Sequence, residues 1–409
     1  MSSVLVVNAG SSSLKLRVLG AADEVTASAD LSPWDGSPDD PGLRGFLGGL
    51  PGIGAVGHRV VHGGRRFTAA TPIDDDVVAG IGALTDLAPL HQPGALAGIA
   101  ATRSALPGVP AVACFDTAFH AGLPAAAASY ALPAAWTRRF GLRRFGFHGL
   151  SHSYAARRAA ELTGNGRGGE AGASTARGGE AGASTARGGE AGASTARGGG
   201  AGASSALRRR VVTCHLGAGA SLAAVLDGRC VDTTMGFTPL EGLVMATRPG
   251  NVDPGLIVWL LLHGGLSAAE VSDGLEFSAG LAGLADLPGG SGDMRDVRLA
   301  AARGNPGARL ALEVHAHRLR AQIAAMAAAL GGLDTLVFTG GIGEHQAETR
   351  AEAASGLGFL GVAVDSGRNA AARPDCDISA PGAAVRTLVI AAREDIEIAR
   401  QTRAALAAG

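Results

Sequence analysis

Residues 4–19 read VLVVNAGSSSLKLRVL, in which an apolar run, a turn of glycine and serine, and an alternating apolar–polar run follow one another. This order predicts a β-hairpin. Residues 211–226, VVTCHLGAGASLAAVL, repeat the order in the second half of the chain. Two hairpins of one design in separate halves of a chain indicate two similarly built α/β domains.

The segments around the hairpins complete an α/β pattern. Helical spacing of apolar residues predicts helices over residues 154–162, 309–330 and 396–407. Short apolar runs predict strands over residues 336–339 and 388–390, and the first of these enters a third glycine turn at Gly340. Because strands and helices alternate, we expect helices that pack on sheets.

A sequence repeat separates the two hairpins. Residues 167–206 are four consecutive decapeptides, RGGEAGASTA three times and then RGGGAGASSA. No bulky apolar side chain occurs in them, so the repeat cannot bury a face that would offset the entropy of ordering. The composition therefore predicts a disordered surface insert that follows the helix at 154–162.

Composition and charge exclude several classes of protein. The 409 residues are 46% hydrophobic, which argues against a disordered chain. The 35 basic and 36 acidic residues leave a net charge of −1, so nothing electrostatic favours binding to nucleic acid or to an anionic membrane. The longest aliphatic and aromatic run, residues 256–262, is too short for a membrane helix.

The start of the chain and the cysteines indicate a cytoplasmic protein. Met1-Ser2-Ser3 leads into a strand without the basic region and cleavage site of a signal peptide. The cysteines stand far apart and form no CxxC pair, so buried free thiols are favoured over a disulfide framework or a zinc site. They are Cys114, Cys214, Cys230 and Cys376.

The three strand-to-glycine turns indicate phosphate binding, because glycine lets several backbone N–H groups converge on an anion. Lys15, the only lysine among the 35 basic residues, follows the first turn. That turn is not a Walker loop, since it has no Gly-Lys-Ser/Thr and is followed by a strand. None of the three is a dinucleotide fingerprint.

Arginine, histidine and aspartate recur beside glycine at the ends of apolar runs, where side chains reach a cleft. The segments are HRVVHGG at 58–64, LHQP at 90–93, FDTAFH at 115–120, FGFHGLSH at 145–152 and TRPG at 247–250. A catalytic metal held by histidines is the alternative. No HExxH pair is present, and Gly149 between His148 and His152 argues against a regular helix there.

Taken together, these segments resemble the acetokinase family, carboxylate kinases that interconvert acetate plus ATP with acetyl phosphate plus ADP. The likeness covers nearly the whole chain except residues 21–53 and the repeat. The motifs that carry it are VLVVNAGSSSLKL (4–16), GHRVVHGG (57–64), FDTAFH (115–120), RRFGFHGLSH (143–152), MGFTPLEGLVMATRPGNVDPG (235–255) and FTGGIGE (338–344).

The resemblance implies the fold of the acetate and sugar kinase, chaperone and actin superfamily. Two duplicated ribonuclease H-like α/β domains would close over a nucleotide, with the active site in the cleft between them, in a homodimer. We expect an N-terminal domain over residues 1–120 and a C-terminal domain over residues 121–394. The terminal helix, residues 395–409, would pack back on the first domain.

The resemblance also implies a role for each matching residue. Arg59 and Arg248 would grip the phosphoryl group and the carboxylate, His148 would hydrogen-bond the same group, and Asp116 would handle a proton or the metal. Mg²⁺, with Mn²⁺ as an alternative, would be held by Asn8 and Glu394, as suits a hard cation. Because a carboxylate nucleophile is already ionised at neutral pH, no strong general base is required.

The substrates implied are acetate and ATP or ADP, without nucleic acid or membrane. The pocket for acetate would comprise Arg59, Val61, Leu90, Phe147 and Pro239. The nucleotide and its phosphates would contact Lys15, Ser11, Ser12, Ser13, His215, Leu216, Gly217, Ala218, Gly219, Asp293, Met294, Arg295, Gly341, Ile342, Gly343, Glu344 and His345.

The chain departs from the family's pattern at four places. Ala218 stands where the family has asparagine, Met294 where it has phenylalanine, and His345 where it has asparagine; the segment between Val18 and Gly57 is also shorter than usual. None of these changes removes a residue assigned to phosphoryl transfer. Two alternatives stay open: a propionate or butyrate kinase, and a catalytically silent scaffold or binding protein of the same fold.

Overall fold

The computed structural model describes residues 3–10, 13–34, 36–37, 40–50, 52–164 and 209–408. The predicted insert at 167–206 lies outside the described residues, as do Ser11 and Ser12 at the tip of the first hairpin. The two predicted hairpins are confirmed: Val4 to Ala9 pairs antiparallel with Leu14 to Leu19, and Arg210 to Leu216 pairs antiparallel with Ala220 to Leu226.

The strands form two six-stranded mixed sheets. The first sheet holds β1 (Val4–Ala9), β2 (Leu14–Leu19), β3 (Val25–Leu31), β4 (Ala55–Val60), β5 (Thr71–Pro72) and β6 (Ala111–Phe115). The second holds β7 (Arg210–Leu216), β8 (Ala220–Leu226), β9 (Arg229–Thr233), β10 (Thr335–Thr339), β11 (Cys376–Asp377) and β12 (Arg386–Val389).

The two sheets have the same topology. The first has the order β3-β2-β1-β4-β6-β5 and the second the order β9-β8-β7-β10-β12-β11, so each position corresponds to a strand six places further along. In both sheets the hairpin and the strand after it form three antiparallel strands. The next two strands in the order run parallel to the hairpin's first strand, and the last strand is antiparallel to its neighbour. The fold is therefore a duplicated α/β architecture, as expected.

The helices flank these sheets. They are α1 (Pro41–Gly48), α2 (Asp75–Gly82), α3 (Gln92–Ala105), α4 (Ala125–Ala128), α5 (Ala134–Phe140), α6 (Gly149–Gly164), α7 (Pro254–Leu262), α8 (Ala268–Phe277), α9 (Gly280–Ala285), α10 (Met294–Ala302), α11 (Pro306–Leu330), α12 (Gly340–His345), α13 (Ala347–Ser355), α14 (Ser366–Ala370) and α15 (Glu394–Ala408). None of those in the described ranges has the length and hydropathy to cross a bilayer.

Two sequence-based expectations about helices were wrong. The third glycine turn is helix α12, which begins at Gly340 directly after β10; Gly340 has φ +79° and lies against the carbonyl of Leu216, an approach that a side chain would block. Gly149 does not prevent a helix either, because α6 is regular from that residue onward. His152 therefore lies inside α6 and His148 immediately before it.

The topology brings the polar ends of the parallel strands together. Asn8 lies near the carboxyl end of β1, Arg59 near that of β4, and Asp116 directly follows β6. In the second sheet the corresponding ends lead into the glycine turn at 217–219, into α12, and into residues 390–394. Ligands of open α/β sheets bind outside such carboxyl ends, so this edge of each sheet is the place to look for a site.

Helix α15 returns to the first sheet and packs on β1, β4 and β6 as well as on α6. A Cβ on Gly57 of β4 would meet Thr402 and Ile398 of this helix, so glycine permits the close approach. The domain limits at residues 120 and 394 stay a prediction. The cysteines are free, with Cys114, Cys214 and Cys230 buried and Cys376 partly so.

Candidate active site

An ion pair anchors the site at the edge of the first sheet. Arg59 donates from Nη2 and Nε to one carboxylate oxygen of Asp116, at 2.7 and 3.1 Å, and from Nη1 to the amide oxygen of Asn8 at 3.3 Å. Asp116 is buried, whereas a fifth of the Arg59 side chain is exposed. The aspartate therefore fixes the guanidinium from behind while part of it faces the cleft.

The second oxygen of Asp116 is buried and makes no hydrogen bond of normal geometry, although the backbone N–H of Leu150 faces this carboxylate. Burial raises the pKa of Asp116, and Arg59 opposes that effect. The negative charge of Glu394 also acts on Asp116, which places the start of α15 close by. Oxygen atoms of Asn8, Asp116 and Glu394 thus cluster at the carboxyl ends of the parallel strands of the first sheet, a place called below the head of the first sheet.

His148 is held in an unusual backbone conformation at the start of α6. Its φ is +55°, the left-handed region that a non-glycine residue enters only at a cost. Its Nδ1 lies 2.9 Å from Ser221 Oγ, and its ring stacks on that of His215 with the centroids 4.4 Å apart. Burial, then the charges nearby, hold the pKa of His148 well below its usual range, so the ring is neutral at pH 7.

Arg248 lies close to His148, beside Gly219. A Cβ built on Gly219 would lie 3.4 Å from His148 Nε2 and 3.9 Å from Arg248 Nη1, so both nitrogens approach the same point. Arg248 pairs with Glu276 at the end of α8, at 2.8 Å, and both side chains are about four-fifths buried. No sequence pattern pointed to Glu276, which lies in a helix with no other assigned residue.

His91 is a second residue that the sequence did not assign. Burial, together with the positive charges of Arg59 and Arg248, lowers its pKa to about 4. The same two arginines act on His148. Two guanidinium groups, one from β4 of the first sheet and one from the loop between β9 and α7, and two neutral imidazoles therefore share one polar volume.

Apolar residues adjoin this volume. Val61 and Phe147 are buried in one cluster, whereas Leu90 is 38% exposed and Pro239 partly so. Gln92, two residues after Leu90, accepts from the backbone N–H of His62 and donates to its carbonyl.

The loop of Pro239 is fastened at both ends. The backbone N–H of Phe145 donates to Gly236 at 3.0 Å, and Glu241 accepts from Tyr130 and Arg144 at 2.6 Å each. The His62 ring contacts the rings of Phe145 and Phe147 edge-on, with centroids 4.6 and 5.5 Å apart, so the segments at 61, 90, 147 and 239 are connected through their neighbours.

A pocket of about 410 Å³ opens beside the second sheet. It brings together eight of the 17 residues expected to contact the nucleotide and its phosphates: Gly217, Ala218, Asp293, Met294, Arg295, Gly341, Ile342 and His345. Asp293 caps α10, and its bonds to the side chain and backbone of Arg295 lower its pKa to about 2. Met294 is 2% exposed and packs into the core, so its side chain supports the wall from behind.

Glu344 is not among the residues that line this pocket. Its carboxylate accepts from the backbone N–H of Ala392 at 2.9 Å, two residues before Glu394. The buried guanidinium of Arg350 donates to the carbonyls of Gly343 and Glu344 and holds the end of α12. The glutamate thus links the nucleotide-side helix to the segment that carries Glu394.

A second pocket, of about 300 Å³, is lined by Asn8, Lys15 and Glu394 among others. Lys15 pairs across the first hairpin with Asn8 and its side chain is exposed, while the carbonyl of Ser13 accepts from Gly10 N–H. No group of three or more His, Cys, Asp or Glu side chains in the described part of the chain could hold a metal. Any metal there must therefore use a mixed set of ligands, such as an amide with one or two carboxylates.

Two copies of one mixed sheet, with a shared polar cleft at the carboxyl ends of their parallel strands, define the duplicated α/β class of the acetate and sugar kinase, chaperone and actin superfamily. The sequence profile described as the acetokinase family matches residues 49–191 and 204–400. The chain belongs to the acetokinase family.

Individual relatives agree with this assignment. An acetate kinase of Leifsonia xyli subsp. xyli is 42% identical over the full length of both chains. The crystal structure of Porphyromonas gingivalis acetate kinase covers 99% of this chain and 100% of its own, with a TM-score of 0.81 and 33% identity. A propionate kinase from Francisella tularensis subsp. tularensis has the same coverage, with a TM-score of 0.82 and 32% identity.

Proposed function

We propose that this protein catalyses the reversible transfer of the γ-phosphoryl group of ATP to acetate, which gives acetyl phosphate and ADP. The observation that carries the proposal is the convergence of Arg59, Arg248 and His148 on one volume between the two sheets. Three hydrogen-bond donors and two positive charges suit the equatorial oxygens of a phosphoryl group in the transition state of its transfer. Membership of the acetokinase family supports a carboxylate as the acceptor.

The transfer is a direct in-line displacement. A carboxylate oxygen of acetate attacks the γ-phosphorus, the new P–O bond forms, and the bond to the bridging oxygen of ADP breaks. Acetate is already an anion at neutral pH, so no proton has to leave the nucleophile. Catalysis then rests on positioning and on charge stabilisation by Arg59 and Arg248, with Asp116 fixing the orientation of Arg59.

A divalent cation fits the head of the first sheet. The amide of Asn8, the carboxylate of Glu394 and the unbonded oxygen of Asp116 are hard oxygen donors of the kind that Mg²⁺ prefers, and Mn²⁺ would accept the same set. When bound, the ion would neutralise charge on the nucleotide phosphates. Lys15, exposed in the same pocket, adds a further positive charge.

A hydroxamate-trapping assay with ATP, Mg²⁺ and acetate, propionate or butyrate in parallel tests the proposal directly. We expect the highest kcat/KM with acetate. Propionate is the second candidate, since the propionate kinase of known structure resembles this fold as closely as the acetate kinase does. Failure to form any acyl phosphate would favour the silent scaffold instead. ATP as a substrate and four free cysteines support a cytoplasmic location.

The substitution Ala218→Asn is expected to raise kcat/KM for ATP about tenfold, since one recovered bond to a charged phosphate is worth roughly 1.4 kcal/mol or more. Ala218 is exposed in the nucleotide pocket, and its carbonyl already accepts from Ala246 N–H at 3.0 Å, so the backbone is fixed and the side chain has room. Steady-state kinetics with varied ATP and saturating acetate measure the effect. Ala218→Leu, similar in size but unable to donate, is the control and should show no gain.

We also propose a homodimer formed through α7. This helix has no charged residue, and Leu256, Val258, Trp259, Leu261 and Leu262 are 40–71% exposed. A contiguous apolar patch of this kind is typical of a protein interface. A two-fold interface would bury it against its own copy.

Leu262→Glu is expected to convert the dimer into a monomer, because two-fold symmetry would bury two uncompensated carboxylates in one interface. Sedimentation velocity at matched concentrations distinguishes the two states. The control is Val25→Glu, which places a charge at an exposed valine of β3 in the first sheet, and this variant should remain dimeric. A Leu262→Glu protein that sediments with the wild type would place the interface elsewhere.

A further inference from the structure

A continuous chain of hydrogen bonds runs behind His148, away from the cleft. Thr213 Oγ1 lies 2.7 Å from His152 Nδ1, His152 Nε2 lies 2.8 Å from Ser221 Oγ, and Ser221 Oγ lies 2.9 Å from His148 Nδ1. Thr213, His152 and Ser221 are all 0% exposed. Water therefore has no access to the links between them, and each hydroxyl must distribute its single proton among these partners.

The direction of the chain follows from Thr213. Its hydroxyl lies 2.7 Å from His152 Nδ1 and 3.4 Å from the carbonyl of Ala223. The proton is assigned to the contact with Nδ1, because the reverse arrangement, with Nδ1–H donating to Thr213, leaves the hydroxyl only the 3.4 Å contact as an acceptor. With Nδ1 accepting, a neutral His152 carries its proton on Nε2 and donates to Ser221 Oγ. Ser221 then has only His148 Nδ1 left to donate to.

The result at His148 is a defined tautomer. Because Nδ1 accepts from Ser221, the proton of the neutral ring sits on Nε2. This Nε2 makes no hydrogen bond to any described residue, and it faces the point beside Gly219 that Arg248 Nη1 also approaches. Stacking on His215 and the left-handed backbone of residue 148 fix the plane of the ring, and a half-turn within that plane would break the 2.9 Å contact between Nδ1 and Ser221.

We propose that Thr213, His152 and Ser221 are positioning residues that lock His148 as an Nε2–H donor toward the transferring phosphoryl group. The inference rests on the proposed function, because it needs an anion at that point. In the opposite tautomer a lone pair would face the phosphoryl oxygens and repel them. The chain therefore decides whether His148 assists the transfer or hinders it.

The tautomer itself can be measured without any substrate. In the full-length protein labelled with ¹⁵N-histidine, we expect a pyrrole-type signal for His148 Nε2 and a pyridine-type signal for Nδ1. A His148→Gln variant identifies the resonances by their loss. The opposite pattern would overturn the proposal, whereas a failure of the proposed function would appear separately, as wild-type protein that phosphorylates no carboxylate.

Thr213→Val and Thr213→Ser form a matched pair for the kinetic test. Valine has nearly the shape of threonine but no proton to give, so the tautomers of His152 and His148 lose their bias. With both His148 tautomers equally populated, we expect kcat to fall about twofold with little change in KM. Thr213→Ser keeps the hydroxyl and should retain wild-type kcat and the wild-type ¹⁵N pattern. Unchanged kcat and signals in Thr213→Val would refute the inference.

Ser221→Ala provides a second break in the chain, next to His148, should the valine variant fold poorly. It should reduce kcat by at least as much, again with a shifted tautomer balance at His148. Loss of thermal stability with normal signals and normal kcat in the folded fraction would mean that the chain only supports the core, and would contradict the positioning role.

Discussion

Replacing Arg248 with alanine is expected to lower kcat by about 10³-fold or more, the scale on which a guanidinium supplied to a transferring phosphoryl group acts. Arg248 Nη1 and His148 Nε2 approach the same point, so alanine removes the stronger of two donors there. Because the charge develops in the transition state, the loss should fall mainly on kcat. A coupled assay for ADP at saturating ATP and acetate measures it.

Arg298→Ala is a matched control for this substitution. Arg298 is exposed to the same extent as Arg248, 18%, and it also pairs with a glutamate at 2.8 Å, but its partner is Glu352 on α13. Both variants thus lose one largely buried ion pair, while only Arg248→Ala also loses a group that faces the cleft. If Arg298→Ala matched the loss, or if Arg248→Ala turned over normally, the assignment of Arg248 would be wrong.

The parts of the molecule that could be predicted from sequence are those in which a local pattern fixes a local structure. The two hairpins follow from alternation around a glycine turn, and their positions in two equivalent sheets confirm the duplicated fold. Helix α11 extends from Pro306 to Leu330, three residues earlier than the apolar pattern indicates, because Asn305 caps it and Pro306 suits its first turn.

What sequence could not provide are contacts between distant segments. Ser221 and His152 are 69 positions apart and meet only because α6 lies across the second hairpin. Glu276 reaches Arg248 from a helix without any recognisable motif. Glu344, which the resemblance assigns to the nucleotide site, accepts from Ala392 N–H, a contact that no motif indicates. In each case the residue type is ordinary, and the tertiary arrangement alone gives it a partner.

The two histidines of the cleft, His148 and His91, show the same difference between what sequence and structure reveal. The motif around residue 148 suggested a cleft residue, and the structure adds a left-handed backbone and a neutral ring. His91 sits in a quoted segment, yet its closeness to both arginines is visible only in three dimensions. Sequence therefore identifies the polar residues of the site, whereas burial and charge determine which of them are ionised.

Arg59→Ala is expected to have two separable effects: a loss of about 10³-fold in kcat, and a lower free energy of unfolding. The first follows from removing a charge that faces the phosphoryl group. The second follows because Asp116, 1% exposed, is left as a buried carboxylate without its counter-ion, which costs roughly 3–5 kcal/mol. Urea titration followed by circular dichroism measures the second effect independently of activity.

The double variant Arg59→Ala/Asp116→Asn separates the two. Asparagine removes the unpaired charge, so most of the lost stability should return while kcat stays low.

The free energy of unfolding of the single variant should also depend on pH. Burial raises the pKa of Asp116 in the folded state, and loss of Arg59 raises it further. The folded single variant therefore binds more protons than the unfolded chain. Its stability should therefore rise relative to the double variant as the pH falls from 7 toward the ordinary carboxyl range. A single variant as stable as wild type at pH 7 would contradict the role of Arg59 as the counter-ion of Asp116, and recovery of kcat in the double variant would contradict its role in transfer.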